Sequence, residues 1–269
     1  MKNKLKAIFF KLRFNLSASN NFLFMMYYKY FYKPKDGSIE LLLSDFSKKI
    51  GTSFNVIQIG ANDGITHDPI HKFIKRDKWN GVLLEPQRYV YEEFLSKIYK
   101  KHSNIHTLNA ALGEKDGKAK IYKIGFTNAR WATGLTTFDK ATLEKAFTNG
   151  HVQRKCSKEG TQIPEDKSLH IIEEEVEIIS AASIISRYHF EHIHLLMIDT
   201  EGFDYEVIKM FNISKNKPDL VIYEKSHLSE EDQVACIQLL KDNGYKVFSQ
   251  DANTVALQAS IEGFETFFN

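Results

Sequence analysis

Several features that would place this chain in a familiar class of protein are scarce or missing in its 269 residues. Its two cysteines, Cys156 and Cys236, provide neither a disulfide framework nor the spacing of a zinc site, and so few thiols suit a reducing cytosol. Neither GxGxxG nor a GxxxxGKS/T loop occurs, which disfavours a dinucleotide pyrophosphate or a nucleoside triphosphate as ligand. The sequence contains no internal repeat and no low-complexity tract.

Acidic residues are absent from the first 35 positions, which hold eight lysines and arginines and therefore carry +8. Because the whole chain carries +2, the remaining residues carry a net −6. A mildly acidic body differs from that of a nucleic-acid enzyme, which is basic around its cleft, so we expect no nucleic-acid partner.

No apolar run is long enough to span a bilayer, because the runs at 7–10 and 22–28 are short and are broken by Lys11 and Asn21. We expect residues 1–35 to form one or two helices packed on the body. The alternative is a helix lying on a membrane surface. The predicted location is the cytoplasm, with peripheral contact at the inner face of the membrane as that alternative.

Short apolar runs alternate with segments of helical periodicity along the rest of the chain. The predicted helices are 39–50, 66–78, 87–101, 181–190, 203–211 and 229–242. The predicted strands are 54–60, 81–85, 104–112, 118–124, 169–179, 194–199, 219–224, 245–250 and 253–258. This alternation predicts an α/β fold with a doubly wound, mostly parallel sheet and a terminal antiparallel strand pair. We expect strand 118–124 to pair back on strand 104–112 as a hairpin.

The domain organisation predicted from this pattern is a basic, aromatic helical arm at 1–50 followed by one domain at 51–269. Periodicity lapses at about 125–168, which is too long for a simple loop and predicts an insertion forming a lid or a substrate wall. Arg130 and Trp131 open this insertion and could meet a sugar face, although a lone tryptophan is more often part of a core.

Two strand ends carry the residues of a nucleoside site. The loop after the first strand consists of Gly60, Ala61, Asn62, Asp63 and Gly64. Its glycines allow the backbone to turn tightly and approach a ligand. Glu85, followed by Pro86, ends the second strand about twenty residues later, where a carboxylate can accept hydrogen bonds from a ribose diol. The alternative is that Glu85 is an exposed acid at a strand end.

The third strand ends in small residues, Asn109, Ala110 and Ala111. They predict a flat slot for an adenine, with the Asn109 amide able to bond its edge. Small residues at a strand end are also common for packing reasons.

Acidic residues and a histidine follow the next two parallel strands. Asp199 ends one strand, Glu224 ends its expected neighbour, and His227 comes three residues later. These side chains could hold a divalent cation, Mg or Mn, through Asp199 and Glu224, or His227 could act as general base toward a hydroxyl. The alternative is that Asp199 only orients a cofactor and that Glu224 pairs with Lys225 or an arginine.

The segments FNVIQIGANDG, GVLLEP, LNAALGEKDG, LLMIDTEGFDYEVI and DLVIYEKSHL occur in this order over about residues 54–258. Together they resemble the FkbM-type methyltransferases. The resemblance implies a Rossmann-like class I methyltransferase fold, S-adenosylmethionine as donor and an oxygen acceptor. It implies these contacts: methionine with Gly60, Asn62 and Gly64, ribose with Glu85, the adenine side with Asn109 to Ala111, and the methionine amino group with Asp199. The related macrocin-type enzymes use a divalent metal at the ends of strands four and five, but Lys225 stands here where an acidic ligand would strengthen that reading.

The function expected from these observations is O-methylation of a hydroxyl, with His227 as base and Asp199 and Glu224 orienting it or holding a cation. The family resemblance favours a sugar or glycan as acceptor over a polyketide or other small molecule. A non-catalytic nucleoside-binding protein and a nicotinamide-dependent oxidoreductase are the alternatives. The acceptor and the oligomeric state are left open by the sequence.

Overall fold

The computed structural model describes residues 2–268, without the side chains of residues 2–4, 6 and 52. The side chains of Lys2, Lys4 and Lys6, which belong to the predicted basic arm, therefore lie outside the described residues. The α-helices are α1 (Lys2–Ala18), α2 (Phe22–Met26), α3 (Ile39–Ile50), α4 (His71–Asp77), α5 (Arg88–Val90), α6 (Ser96–Tyr99), α7 (Arg130–Thr133), α8 (Lys140–Thr148), α9 (His151–Glu159), α10 (Ala181–Arg187), α11 (Asp204–Phe211), α12 (Ile213–Asn216) and α13 (Glu230–Asp242). The strands are β1 (Asn55–Ile59), β2 (Asn80–Leu84), β3 (Ile105–Leu108), β4 (Ala110–Gly113), β5 (Gly117–Ile124), β6 (Ile171–Ser180), β7 (Leu195–Ile198), β8 (Leu220–Glu224), β9 (Tyr245–Gln250) and β10 (Asn253–Gln258).

The main sheet has seven strands in the order β3-β2-β1-β7-β8-β10-β9. The first five are parallel, and β10 runs antiparallel to both β8 and β9. The predicted doubly wound α/β fold with a terminal antiparallel pair is therefore confirmed. The strand order reverses on the two sides of β1, which places the topological switch beside this strand.

Two hydrophobic cores cover the two faces of the sheet, because successive side chains of a strand point to opposite faces. On one face, Val56 of β1 packs with residues of α3 and α4. On the other face, Ile57 and Ile59 pack with residues of α11 and α13. Helix α3 has the predicted limits: the Ser38 side chain accepts the backbone N–H of Leu41, and Gly51 follows with a φ of +80°.

A second sheet of three strands, in the order β4-β6-β5, corrects two predictions. The predicted strand 104–112 breaks at Asn109, whose side-chain amide donates to the carbonyl oxygens of Glu85 (2.9 Å) and Pro86 (2.8 Å). The strand 118–124 does not form a hairpin with its predecessor, because β6 lies between β4 and β5 and pairs with both.

The helix predicted at 66–78 begins only at His71. Asp63 accepts the backbone N–H groups of Ile65 and Thr66, and Asp68 accepts those of Ile70 and His71. These local bonds compete with helical ones and keep the segment in turns. The predicted helix 87–101 is present as a continuous helical stretch, in which the π-helical turn Tyr91–Leu95 joins α5 to α6.

The segment 125–168 contains α7, α8 and α9 and builds a small core of its own around Leu143, Val152 and Cys156. Trp131 packs at the edge of that core. Both cysteines are buried as free thiols.

The N-terminal arm is helical and packs on the body through one side. A π-helical turn, Tyr27–Phe31, extends α2. The rings of Phe10 and Phe14 contact that of Phe94, and Ser17 bonds to the His71 ring at 2.8 Å. Among the described residues, no helix combines the length and the apolar character needed to cross a bilayer.

Candidate active site

A cavity of about 320 Å³ lies beyond the carboxyl ends of β1, β2 and β7, between the main sheet and the insertion. Ligands of doubly wound sheets bind at this edge, where the strand order reverses. The volume falls at the lower end of the range of small-molecule sites. The site residues predicted from the sequence that line the cavity are Gly60, Ala61, Asn62, Glu85, Pro86, Ala110, Ala111, Asp199 and His227.

The loop after β1 makes the floor of the cavity because β1 and β7 come into close contact there. A Cβ atom placed on Gly60 would lie 1.9 Å from the carbonyl oxygen of Asp199, so no side chain fits. Gly60 also has a φ of +80°, a conformation that favours glycine. The tight turn predicted at this glycine is present, and the close contact there is with the backbone of Asp199; the approach of Gly60 to a ligand stays a prediction.

Glu85 anchors the same loop from the end of β2. Its carboxylate accepts the backbone N–H of Asn62 at 3.0 Å and that of Gln87 at 2.9 Å. The side chain is buried, and burial raises the pKa of the carboxyl to about 7, although these two hydrogen bonds oppose the effect. Each carboxylate oxygen retains a lone pair that a ligand hydroxyl in the cavity could use.

Three predicted cofactor residues do not line the cavity. Asn109 uses its amide to hold the backbone after β2, so it does not face an adenine as expected. Asp63 accepts backbone N–H groups of its own loop and pairs with Arg130. Gly64 lies behind the loop, where an added Cβ would meet Leu95 at 2.9 Å.

Four carboxylates crowd the ends of β7 and β8. Solvent reaches Asp199 through the cavity, but the surrounding protein and the negative charge of Glu224 raise its pKa to about 8. Burial raises the pKa of Glu201 as well, while His227 opposes that shift. Asp204 is fully buried, has a pKa raised to about 6 by burial, and accepts the Thr200 hydroxyl at 2.9 Å. Like charges so close together favour binding of a cation or a proton.

His227 is paired with a residue that was not predicted from the sequence. Its Nε2 lies 3.1 Å from a carboxylate oxygen of Glu201, and both side chains are partly exposed to the cavity. Glu224, the expected partner, instead accepts a hydrogen bond from Ser226 at 2.5 Å. A carboxylate on Nε2 favours the tautomer whose Nδ1 is free to accept a proton. The helix after β8 is capped by Ser229, so His227 is not its cap.

The ligand atoms of Glu201, Glu224 and His227 lie within 4.8 Å of one another and could surround one metal ion. Two carboxylates and an imidazole suit Mn²⁺ or Zn²⁺ better than Mg²⁺, which prefers oxygen ligands. This set differs from the predicted one, because it contains Glu201 and His227 in place of Asp199.

A second cluster, His192, His194 and Asp219, lies at the opposite edge of the sheet. The Nδ1 atom of His194 accepts the backbone N–H of Asn55 at 2.9 Å. Its Nε2 therefore carries the proton of the neutral ring and cannot bind a metal. This chemistry leaves the cavity edge as the better candidate metal centre.

The insertion forms the outer wall of the cavity. Arg130 reaches across it, with its guanidinium 2.6 Å from the Asp63 carboxylate and 3.0 Å from the Thr66 carbonyl oxygen. Gln87 donates to the Thr133 carbonyl oxygen and accepts the Thr136 hydroxyl, so it links the Glu85 turn to the same wall. Further residues of this wall are Gly134, Thr137, Phe138, Asp139 and Thr142.

Sequence reasoning missed Glu201, Gln58 and Gln87. Gln58 lines the cavity from β1, and its buried side-chain oxygen has no hydrogen-bond partner among the described residues. A polar residue inside an apolar strand was a signal for Gln58. Glu201 stands two positions after Asp199 in a turn with a φ of +53°, and this geometry is not visible in the residue pattern.

Comparison with protein families gives one assignment. The model of the family described as "Methyltransferase FkbM domain" matches residues 58–247. This range contains every residue that lines the cavity. No curated protein matches the sequence significantly.

Solved structures resemble the chain at low identity. An FkbM methyltransferase from Methylobacillus flagellatus KT is 13% identical, with a TM-score of 0.45; the match covers 77% of this chain and 44% of that one. A precorrin-6y C5,15-methyltransferase from Geobacter metallireducens GS-15 is 12% identical, with a TM-score of 0.38; the match covers 84% of this chain and 93% of that one. The N-terminal domain of human METTL16 in complex with SAH is 10% identical, with a TM-score of 0.38; the match covers 84% of this chain and 71% of that one. This chain thus spans less than half of the Methylobacillus protein.

Proposed function

The chain belongs to the FkbM methyltransferase domain family, and from this premise we propose that it is an S-adenosylmethionine-dependent O-methyltransferase acting on a hydroxyl of a sugar or glycan. The observation that carries the proposal is a single cavity with two chemically different ends. One end has a glycine loop and a buried carboxylate, and the other has a histidine paired with a carboxylate.

The glycine loop and Glu85 support the cofactor assignment. Glu85 can accept the two hydroxyls of a ribose, and the backbone next to Gly60 can approach the methionine part closely. The unpartnered oxygen of Gln58 and the carboxyl of Asp199 offer acceptors for an amino group. Ala110 and Ala111 leave room for a flat base beside them.

The opposite end of the cavity supports proton removal from an acceptor. In methyl transfer the acceptor oxygen attacks the methyl carbon, the carbon–sulfur bond breaks, and the sulfur keeps the electron pair as a neutral thioether. The acceptor hydroxyl loses its proton, and His227 is placed to take it through Nδ1. Glu201 stabilises the imidazolium that results. Alignment of the acceptor and exclusion of water supply the rest of the rate enhancement.

The wall made by the insertion supports a polar acceptor. Its threonines and Phe138 line the cavity together. A few polar groups beside an aromatic surface are suited to bind a sugar, whose ring has both hydroxyls and an apolar face. A polyketide hydroxyl is the alternative acceptor.

Besides proton removal by His227, a second role is open to the acidic end of the cavity: Glu201, Glu224 and His227 could hold a divalent cation. A bound cation would lower the pKa of the acceptor hydroxyl and so assist its deprotonation. Exhaustive chelation separates the two uses: full methyl transfer afterwards supports His227 as base, and loss that Mn²⁺ or Mg²⁺ restores supports the metal.

The proposed function is tested by binding and by transfer. We expect calorimetry to show binding of S-adenosylhomocysteine and none of NADH, and labelled methyl groups to move from S-adenosylmethionine to hydroxylated acceptors. NADH binding would favour an oxidoreductase. Cofactor binding without transfer to any sugar, glycan or polyketide would favour a non-catalytic protein.

A further inference from the structure

Large hydrophobic side chains exposed to solvent are concentrated in the N-terminal arm. Of the twelve found among the described residues, nine lie between positions 5 and 31, and three occur elsewhere in the chain. The nine, which we call the outer stripe, are Leu5, Ile8, Phe9, Leu12, Phe22, Leu23, Tyr27, Tyr30 and Phe31. Exposed apolar surface concentrated in one part of a protein marks an interaction site.

The outer stripe is held outward by the opposite side of the same helices. In α1, Phe10, Phe14 and Ser17 face the body at helical spacing, while Leu5, Ile8 and Leu12 follow the same spacing on the other side. After α2, Tyr28 is buried against the His71 ring, whereas Tyr30 and Phe31 are exposed. The arm is therefore a fixed part of the fold that presents an apolar surface.

The charge around the outer stripe is of one sign. Residues 1–35 contain no aspartate or glutamate. Lys11, Lys29 and Lys33 are exposed beside the stripe. Two copies of this chain meeting through the stripe would bring these positive charges together, which opposes self-association.

A basic cavity of about 570 Å³ adjoins the stripe, where the arm meets the segments that precede β2 and β3. Its basic residues are Lys29, Lys75, Arg76, Lys78 and Lys101, and its lining contains no carboxylate residue. Its apolar side is formed by Phe22, Met25, Met26 and Tyr30. Lys75 and Arg76 already bond to protein groups. Lys29, Lys78 and Lys101 are exposed and make no salt bridge with any described residue.

We propose that the outer stripe and the basic cavity together dock the protein on an anionic lipid bilayer. The apolar and aromatic side chains enter the boundary between headgroups and acyl chains, and the lysines contact lipid phosphates. The cavity accepts one anionic headgroup beside the point where Phe22 and Tyr30 reach the bilayer.

Vesicle sedimentation of the full chain tests the proposal. We expect binding to vesicles of phosphatidylcholine with phosphatidylglycerol, weak binding to phosphatidylcholine alone, and weakening by salt, because screening acts on the lysines. Equal binding to both vesicles, or no binding to the anionic ones, would overturn it. A dimer in sedimentation velocity that Phe9→Ser and Phe22→Ser disrupt would assign the stripe to a second copy instead.

Point variants separate the two parts of the surface. Phe9→Ser with Phe22→Ser should abolish vesicle binding, whereas Val234→Ser, at a side chain exposed to 69% on α13, should leave it unchanged. Lys29→Gln, Lys78→Gln and Lys101→Gln should each weaken binding about fivefold. The exposed Lys115→Gln and Lys158→Gln should have smaller effects. All these side chains are exposed, so thermal melts should coincide with the wild type.

A competition arm distinguishes a lipid headgroup from a free anion. Inorganic phosphate at concentrations that keep the ionic strength constant should not release the protein from anionic vesicles. Binding of phosphate to the wild type in calorimetry, together with normal vesicle binding by the three lysine variants, would make the cavity a site for free anions and contradict its role in docking.

Discussion

His227 is the residue whose role can be tested most directly, because its partner is defined. The His227–Glu201 contact places a carboxylate 3.1 Å from Nε2 at the cavity edge. This is an orienting arrangement, and Glu201 can stabilise a positive charge on the ring only while it is ionised. Removal of the ring and removal of the carboxylate should therefore have different kinetic consequences.

His227→Ala should lower kcat by about 10²–10⁴-fold and leave the affinity for S-adenosylhomocysteine unchanged, because a general base acts only in the chemical step. Glu201→Gln should lower kcat less. The ring keeps the nitrogen that accepts the proton and loses only the carboxylate that orients it. His106→Ala, at an exposed histidine outside the cavity, is the control. A His227→Ala rate within a few-fold of wild type from about pH 6 to 9 would remove His227 as base.

If Glu85 binds the ribose as proposed, cofactor affinity should depend on pH. Because burial raises the pKa of its carboxyl to about 7, and a ribose diol bonds best to the ionised form, affinity for S-adenosylhomocysteine should rise from pH 6 to pH 8. Glu85→Gln should bind more weakly by about 1.5–3 kcal/mol and depend less on pH. Calorimetry at both pH values measures this, with the exposed Glu114→Gln as control. Indistinguishable binding by wild type and Glu85→Gln would place Glu85 outside the cofactor site.

At the scale of elements, the break at Asn109 shows what residue patterns leave undetermined. The apolar run 104–112 has the composition of one strand, yet it contributes β3 to the main sheet and β4 to the small one. The cause is a side-chain contact with the carbonyl oxygens of Glu85 and Pro86, which are far away in sequence. The presence of the strands and their mostly parallel arrangement follow from the alternation of strands and helices, but such a long-range contact does not.

Arg130 of the insertion bonds to the loop that follows β1, and the effect of this contact can be tested. Arg130→Ala should speed release of S-adenosylhomocysteine a few-fold, because the pair with Asp63 is partly exposed and such pairs contribute about 0.2–1 kcal/mol. Arg130→Lys should not restore the wild-type rate, since a single ammonium cannot bond both the carboxylate and the Thr66 carbonyl oxygen as the guanidinium does. Stopped-flow release rates measure both.

Arg154→Ala is the matched control, because this arginine of α9 bonds only locally, to the Asn149 carbonyl oxygen. If Arg130→Ala and Arg154→Ala released the ligand at the same rate as wild type, the insertion would not close on the cofactor through this contact.

A chain of buried hydrogen bonds ties the arm to the loop that follows β1. Ser17 bonds to His71, which bonds to Tyr99 at 2.9 Å, and Tyr99 donates to the Gly64 carbonyl oxygen. Burial lowers the pKa of His71 well below its usual range, so the ring is neutral. This chain of contacts connects Ser17 of the arm to the loop that follows β1.

Ser17→Ala should lower the free energy of unfolding by about 1–3 kcal/mol, because it leaves a buried ring nitrogen of His71 without a partner. Ser19→Ala, at an exposed serine two residues later, should change it by less than about 0.5 kcal/mol. Chemical denaturation gives both values. Equal stabilities of the two variants would mean that the arm is not tied to the body through Ser17.

Across the whole molecule, the sequence located many of the residues that line the cavity, but not the contact that pairs His227 with Glu201. Gly60, Glu85 and Asp199 stand at strand ends, and strand ends of a parallel sheet can be located from apolar runs. The His227–Glu201 pair depends on the turn after β7, where Gly202 adopts a φ of +104°. A Cβ atom added to Gly202 would lie 3.1 Å from the carbonyl oxygen of His227, so the two loops are in close contact there. Pairing between two loops is set by such backbone geometry.

The crowded carboxylates also give the whole molecule an unusual pH dependence of stability. The pKa is raised to about 8 for Asp199 and to about 7 for Glu85, so the folded protein binds more protons than the unfolded chain up to those pH values. The extra bound protons add to the free energy of unfolding, and this contribution is lost as the pH rises through the two pKa values. Two buried groups make the free energy of unfolding rise with pH instead. His71, which is neutral in the fold, does so below about pH 6.5, and Lys75, whose pKa burial lowers to about 8, does so above about pH 8.

The ligand-free protein should therefore lose stability between about pH 6.5 and 8, by about 1 kcal/mol from Glu85 alone. Asp199→Asn should be more stable than wild type at pH 8 and should lose less stability across this window, because it cannot ionise beside Glu224. Saturating S-adenosylhomocysteine should flatten the wild-type curve, since a bound amino group stabilises the ionised carboxyl. Thermal melts at each pH measure these effects, with Glu114→Gln as control. A flat wild-type curve, or an Asp199→Asn curve parallel to it, would show that the acidic end of the cavity does not strain the fold.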